Sequence, residues 1–169
     1  MQNLRVLESF ENQRFSNRLR NLRFLKRKDK KHLLELLKKQ FNFEEKLNYI
    51  FLINNKNKVF IINKELANIE LNKIKINSIG LYIAELRHNE VRLSIEGSQL
   101  IGPKAKKNII EINEKQARDW LKGKDIETKE AIKGFTIIKH KEDFLGCGKI
   151  KDNQILNFVP KTRRLNVSD

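Results

Sequence analysis

The 169-residue sequence predicts an α+β protein: N-terminal helices packed on a small β-sheet, then a small C-terminal β-barrel with one short helix. Three observations predict it. Apolar residues recur at helical spacing in the first forty residues and again between 113 and 123. Runs rich in Ile, Val, Phe and Tyr, separated by polar turns, fill much of the remainder. Beyond a glycine- and proline-bearing stretch near 98–107, the order becomes strand, helix, then strands.

In chain order, residues 12–28, "NQRFSNRLRNLRFLKRK", come first, and they hold no acid. Phe15, Leu19 and Leu22 fall at i, i+4 and i+7, with Leu25 close to the same line, so a basic amphipathic helix is expected. Such a helix could lie on RNA, on a membrane surface, or on its own domain with a solvated face. Six of the 11 arginines lie between Arg5 and Arg27, which favours RNA, because guanidinium forks suit phosphate. A second helix should follow an Asp29 N-cap, with Leu33, Leu34, Leu36, Leu37 and Phe41 on one side. "YIFLINNKNKVFIINKEL" reads as a hairpin turning at Asn54–Asn57. "INSIGLYIAELRHNEVRLSIEG" repeats it: a strand around Ile79–Leu86, a turn at His88–Asn89, then alternating Val91, Leu93 and Ile95.

"SQLIGPKAKK" marks a boundary, dividing the chain into an extension (1–28), an N-terminal α+β domain (29–103) and a C-terminal domain (104–169). There, "NIIEI" (108–112) is a short strand. Asn113 caps the helix "EKQARDWLKG", with Ala117, Trp120 and Leu121 on its apolar face and Gly123 closing it. "GFTIIKH" (134–140), "FLGCGKI" (144–150) and "QILNFV" (154–159) complete the strands, with "KED" as a turn. Trp120, Phe144 and Phe158 are expected in the core.

Composition narrows the function. The chain has 36 Lys plus Arg against 21 Asp plus Glu, a net charge of +15, which recruits polyanions. Residues 1–50 carry 13 basic and 6 acidic side chains, residues 51–100 carry 7 and 5, and residues 101–169 carry 16 and 10. The excess sits at both ends, unlike a uniform lysine-rich composition. One cysteine excludes an internal disulfide framework and a cysteine-cluster metal site. With no secretory-type N-terminus and no apolar run of about 20 residues, the expectation is a cytoplasmic protein without a membrane partner.

"LGCGK" (145–149) raises the question of chemistry. A thiol nucleophile needs a base, and His32, His88 and His140 are the histidines available. Only His140 is near, and nothing in the sequence orients it. A phosphate-binding loop needs G-x-x-x-x-G-K-[ST] between strand and helix, whereas this string leads into another strand. Glycines inside a strand instead mark a bulge or a close backbone approach. Cys147 is therefore read as structural.

"NIIEINEKQARDWLKGKDIE", "GFTIIKHKEDFLGCGKI" and "ILNFVPKTRRL" together resemble a PUA domain, a small β-barrel RNA-binding module. More closely, they resemble the C-terminal module of archaeal proteins related to the Sun-family RNA cytosine methyltransferases. In that family a W-x-x-G helix end and an L-G-x-G strand precede N-[FY]-[VL]-P-K-x-x-R. "INSIGLYIAELRHNEVRLSIEG" resembles the N-terminal domain of small two-domain PUA proteins of ribosome assembly. The resemblance spans roughly residues 26–165. It implies a PUA-like barrel holding RNA against its short helix and the neighbouring strands. Carried onto this sequence, the RNA-binding positions are Lys115, Arg118, Lys122 and Lys124 on and after the helix, then Lys149, Lys151, Lys161, Arg163 and Arg164. The N-terminal extension adds Arg14, Arg18, Arg20, Arg23 and Arg27.

Cytosine C5 methylation requires a cysteine nucleophile and a fold that binds S-adenosylmethionine. The one cysteine is in the wrong setting, and 169 residues show no Gly-rich cofactor turn. The expectation is a non-catalytic RNA-binding protein of ribosome biogenesis or RNA modification, without cofactor or metal. Its partner would be structured RNA, with rRNA or a pre-ribosome ahead of tRNA, beside an RNA-modifying enzyme or ribosomal proteins. The alternatives are a subunit completing a tRNA- or rRNA-modifying enzyme in trans, or a basic protein–protein scaffold.

Overall fold

The computed structural model describes residues 22–65 and 79–166. The stretch 12–21 of the expected basic helix, with Arg14, Arg18 and Arg20, lies outside the described residues. Residues 22–26 of the expected helix are not helical. Leu22–Phe24 form an edge strand, β1, paired antiparallel with Ile50–Asn54 (β2) in the register Leu22↔Asn54 and Phe24↔Leu52. Leu22 and Phe24 pack with Leu52 and Ile62, so pairing and burial override the helical spacing.

The helix α1 starts three residues earlier than expected and spans Arg27–Phe41. Lys26 occupies the N-cap position without a side-chain hydrogen bond, and Asp29 lies in the first turn, where its charge suits the helix dipole. Burial holds this helix. Leu33, Leu36, Leu37 and Phe41 are all buried, each worth about 1.5–3 kcal/mol, which exceeds the roughly 1 kcal/mol of a missing cap. The N-terminal sheet continues with Lys58–Ile62 (β3), Leu81–Arg87 (β4) and Glu90–Leu93 (β5), antiparallel in sequence order. At the first hairpin Asn54 Oδ1 accepts hydrogen bonds from the backbone N–H groups of Lys56 (2.9 Å) and Lys58 (3.0 Å).

Ile95 does not extend β5 as its alternation suggests. Ser94 accepts from Gly97 N–H at 2.9 Å and starts a second helix, α2, over Ile95–Ile101, followed by a 3-10 turn at Gly102–Lys104. The expected boundary stretch is thus largely helical, with Ser98 and Ile101 fully buried. Gly97 is required there: a Cβ would sit 1.8 Å from the Ile83 carbonyl oxygen, so α2 lies directly against β4.

The second sheet comprises Ile109–Glu111 (β6), Ile126–Glu127 (β7), Phe135–His140 (β8), Asp143–Lys151 (β9) and Gln154–Asn157 (β10). Its order is β6-β8-β9-β10-β7, parallel between β6 and β8 and antiparallel elsewhere. It curls into a half-barrel carrying one short helix, α3, over Glu114–Leu121. Asn113 caps α3 as expected, completed by Gln116 into a reciprocal capping box.

β8 is buried on both faces, and its neighbours divide accordingly. Ile138 faces a cluster with Trp120, Ala117, Ile110, Ile155 and Val159. Phe135, Ile137 and Cys147 face the other way, into one cluster with Leu33, Leu37, Phe41, Val59, Ile83 and Ile101. Gln40 spans the same seam, donating to the carbonyls of Val91 (2.8 Å) and Phe135 (3.3 Å) and accepting from Val91 N–H. Phe144 and Phe158 are half-buried, packed at the margin of that core.

Candidate nucleic-acid interface

α3 presents Lys115 and Arg118 to solvent, with Lys122 at its C-cap, while Trp120 points inward. Trp120 is fully buried, and its Nε1 donates to the Leu145 carbonyl at 2.9 Å. The chain leaves α3 through Gly123 at φ +87. Asn157 ties this exit to the sheet, donating to the carbonyls of Trp120 (2.8 Å) and Lys124 (3.0 Å).

The tail then folds back over the same exit. After Pro160 a 3-10 turn spans Lys161–Arg163, and Leu165 N–H donates to the Leu121 carbonyl at 3.0 Å. Arg164 lies across Gly123, where an added Cβ would meet its guanidinium carbon at 2.4 Å, and its Nε donates to the Val159 carbonyl. The tail thus returns to one helix end, which carries Lys122, Lys124, Lys161 and Arg164, with Lys115 and Arg118 along the helix. Arg164 acts there as a clamp. Arg163 turns to the far side and pairs with Glu96 at 2.9 Å, at the start of α2.

Several of the predicted cations already hold a carboxylate. Arg118 pairs with Glu114 (3.4 Å), Lys124 with Asp119 (2.8 Å) and Lys151 with Asp152 (4.0 Å). Hydrogen bonds from His140 and then Arg118, with the charge of Lys141, hold the Glu114 carboxyl below its usual range. The Lys124 hydrogen bond does the same for Asp119. Exposed pairs of this kind contribute little to stability, so exchanging one for a phosphate disturbs the fold little. Lys149 is different. It binds Glu90 of β5 at 2.7 Å and lies 5.1 Å from the centroid of the Phe135 ring, linking the two sheets. Arg23 on β1 pairs with Asp29 at 3.9 Å, and Arg27 is exposed at the start of α1, both on elements other than the α3 face.

A second lysine-rich feature lies outside the predicted RNA-binding positions. Lys30, Lys31, Lys38, Lys46 and Lys64 line a cleft of about 590 Å³ between α1 and residues 43–48, together with Glu35, Glu44 and Glu45, of which Glu35 pairs with Lys31 and Glu44 with Lys38. Burial, and then the charge of Lys64, lower the Lys30 pKa. The clue in the sequence is the lysine-rich run "KDKKHLLELLKK", whose lysines flank the buried leucines.

Cys147 is buried, and burial pushes its thiol up to about 12. His140 is occupied elsewhere: Nδ1 lies 2.8 Å from the Ile112 carbonyl oxygen and Nε2 3.1 Å from Glu114. That geometry is the reverse of a thiol–imidazole pair, in which a lowered thiol pKa makes the nucleophile.

With this geometry in place, the class of the C-terminal half is that of a PUA-like domain. Residues 107–165, from the approach to β6 to the clamped tail, match the family described as the methyltransferase RsmF PUA domain. Similar relatives are the ribosomal RNA small subunit methyltransferases F of Aliivibrio fischeri (29% identical over 91 residues), Aeromonas salmonicida (29% over 90) and Vibrio vulnificus (25% over 91). These alignments cover 53–54% of this chain and 19% of each relative. The chain thus spans about a fifth of the length of the curated relatives it matches. The resemblance to the Sun-family methyltransferases is therefore a similarity to their C-terminal PUA region.

Proposed function

We propose that this protein is a non-catalytic, cytoplasmic RNA-binding factor of ribosome biogenesis or RNA modification, and that it holds structured RNA on the α3–tail face. The observation that carries the proposal is the convergence of Lys115, Arg118, Lys122, Lys124 and Lys161 on the helix and tail of a domain matched to the PUA domain of an rRNA methyltransferase family. The rRNA named in the relatives' activity supports rRNA ahead of tRNA. A net charge of +15 supplies sequence-independent attraction, and the exposed pairs supply cations at small structural cost. The burial of Cys147 supports a non-catalytic role. The second reading, a subunit completing a modifying enzyme in trans, is favoured by the relatives being methyltransferases matched over only their PUA portion.

The test is affinity for an rRNA hairpin as a function of salt. Each phosphate neutralised contributes about 0.9 units of slope in log K against log salt for B-DNA and about 0.7 for single strands, and a hairpin is expected to respond on the same scale. Replacing Lys115, Arg118, Lys122 and Lys161 together by Ala should weaken binding and flatten the slope by about two to four units. Arg164 is left in place because it clamps the tail. An unchanged slope would remove RNA from this face.

A further inference from the structure

A cavity of about 270 Å³ opens where the two sheets meet, outside the α3 face. Lys58, Tyr82 and Arg92 line it from the N-terminal sheet, and Phe158 and Arg163 from the C-terminal half, with Leu81 47% exposed beside them. We propose that this cavity receives a single unpaired nucleotide of the bound RNA, its base against the apolar interior and its phosphate between Lys58 and Arg163. The inference rests on the RNA-binding reading above and adds to it a site for one extruded base.

The chemistry of the lining selects that ligand. Lys58, Arg92 and Arg163 line the cavity; Glu96 balances Arg163 and Glu85 balances Arg92, so the net positive charge that favours an anion comes from Lys58. Lys58 Nζ lies 5.2 Å from the Tyr82 ring centroid, and the Arg92 guanidinium lies 5.0 Å from that of Phe158. These layers of ring and cation suit a flat, electron-rich heterocycle. Arg92 is held in place by an ion pair with Glu85 and a hydrogen bond with Tyr82, so its plane is set before a ligand arrives. Volume settles the size. Pockets for drug-sized ligands run to roughly 300–1,000 Å³, so this one suits about one nucleotide and excludes a stacked base pair. A base within a duplex cannot reach such a pocket without leaving the stack. Arg163 follows directly from the tail that forms the RNA face, so a strand lying on α3 has a short path to the cavity.

The experiment compares two RNAs of equal length, a hairpin with an unpaired loop and a blunt duplex, against the full chain and two variants, Leu81→Glu and the double change Lys58→Ala with Arg163→Ala. Thermal unfolding checks that each variant is folded. The readout is the ratio of the two affinities, which cancels general charge loss. Stacking on a protein platform discriminates by about fivefold to over a hundredfold per base, so the full chain should favour the hairpin by at least about fivefold. Both variants should bring the ratio to within about twofold of unity. A preference that persists in both variants, or a full chain with no preference, overturns the nucleotide site. Failure of the full chain to bind either RNA overturns the RNA-binding reading itself.

Discussion

Replacing Gly148 by Ala should be strongly destabilising, even though it adds only one methyl group. An ideal Cβ at this position would lie 2.4 Å from Ile155 Cγ2, 3.0 Å from Trp120 Cη2 and 3.1 Å from the Leu156 carbonyl oxygen. Ordinary contact begins at 3.4 Å, so Ile155 must retreat by about 1 Å. It has nowhere to go, because Ile155 and Trp120 are both buried and Leu156 is fixed in the β9–β10 ladder. Overpacking of this kind costs about 1–3 kcal/mol, and three immobile neighbours place Gly148→Ala near about 3. For a chain of this size that lowers Tm by about 6–12 °C. Cys147→Ala, which only removes a buried sulfur, should cost about 1–2 kcal/mol. Urea unfolding of both variants gives the comparison. If Gly148→Ala were as stable as Cys147→Ala or more so, close approach would not be the reason for the glycine.

Trp120→Phe should lower stability by about 2 kcal/mol or more through lost volume and the orphaned Leu145 carbonyl, measured by the same unfolding curves. The Cys147 thiol should resist alkylation at pH 8 in the folded protein and react once urea unfolds it. Its folded pKa is raised from 9.0 to about 12, so its contribution is complete below pH 9 and is lost as pH rises toward 12. Wild-type Tm should therefore fall more steeply than that of Cys147→Ala across that window. Calorimetry with S-adenosylmethionine should give no binding heat, and tight binding would refute the non-catalytic proposal.

Regular periodicity made much of the fold legible. The leucine stripe of α1, both hairpins of the N-terminal sheet and the Asn113 cap follow from spacing and turn chemistry that act within a few residues. What stayed hidden is decided at long range. β1 is three residues whose helical spacing loses to pairing with β2, and β7 is two residues recruited by β10. α2 interrupts a run that alternates like a strand, because Ser94 caps it and Gly97 lets it touch β4. The candidate site divides in the same way. The basic residues of α3 and the tail could be read as a cluster from the sequence. That Arg163 and Arg164 diverge, and that Lys149 ties the sheets together, depends on contacts with residues 30 to 70 positions away. The junction cavity draws on residues from 58 to 163, and no local pattern announces it.

The seam shared by Phe135, Ile137, Cys147, Ile83 and Ile101 governs how the molecule opens. Neither sheet can shed its neighbour without wetting that apolar surface, and the Gln40 bridge breaks at the same moment. Amide protons of β4 and of β8 should therefore exchange with deuterium at a common, global free energy, as members of one cooperative foldon. A heat-capacity trace should show one transition across both halves, with equal calorimetric and van't Hoff enthalpies. Severed after the 3-10 turn, the C-terminal half would carry a sticky face, prone to self-association, where α1 and α2 now lie.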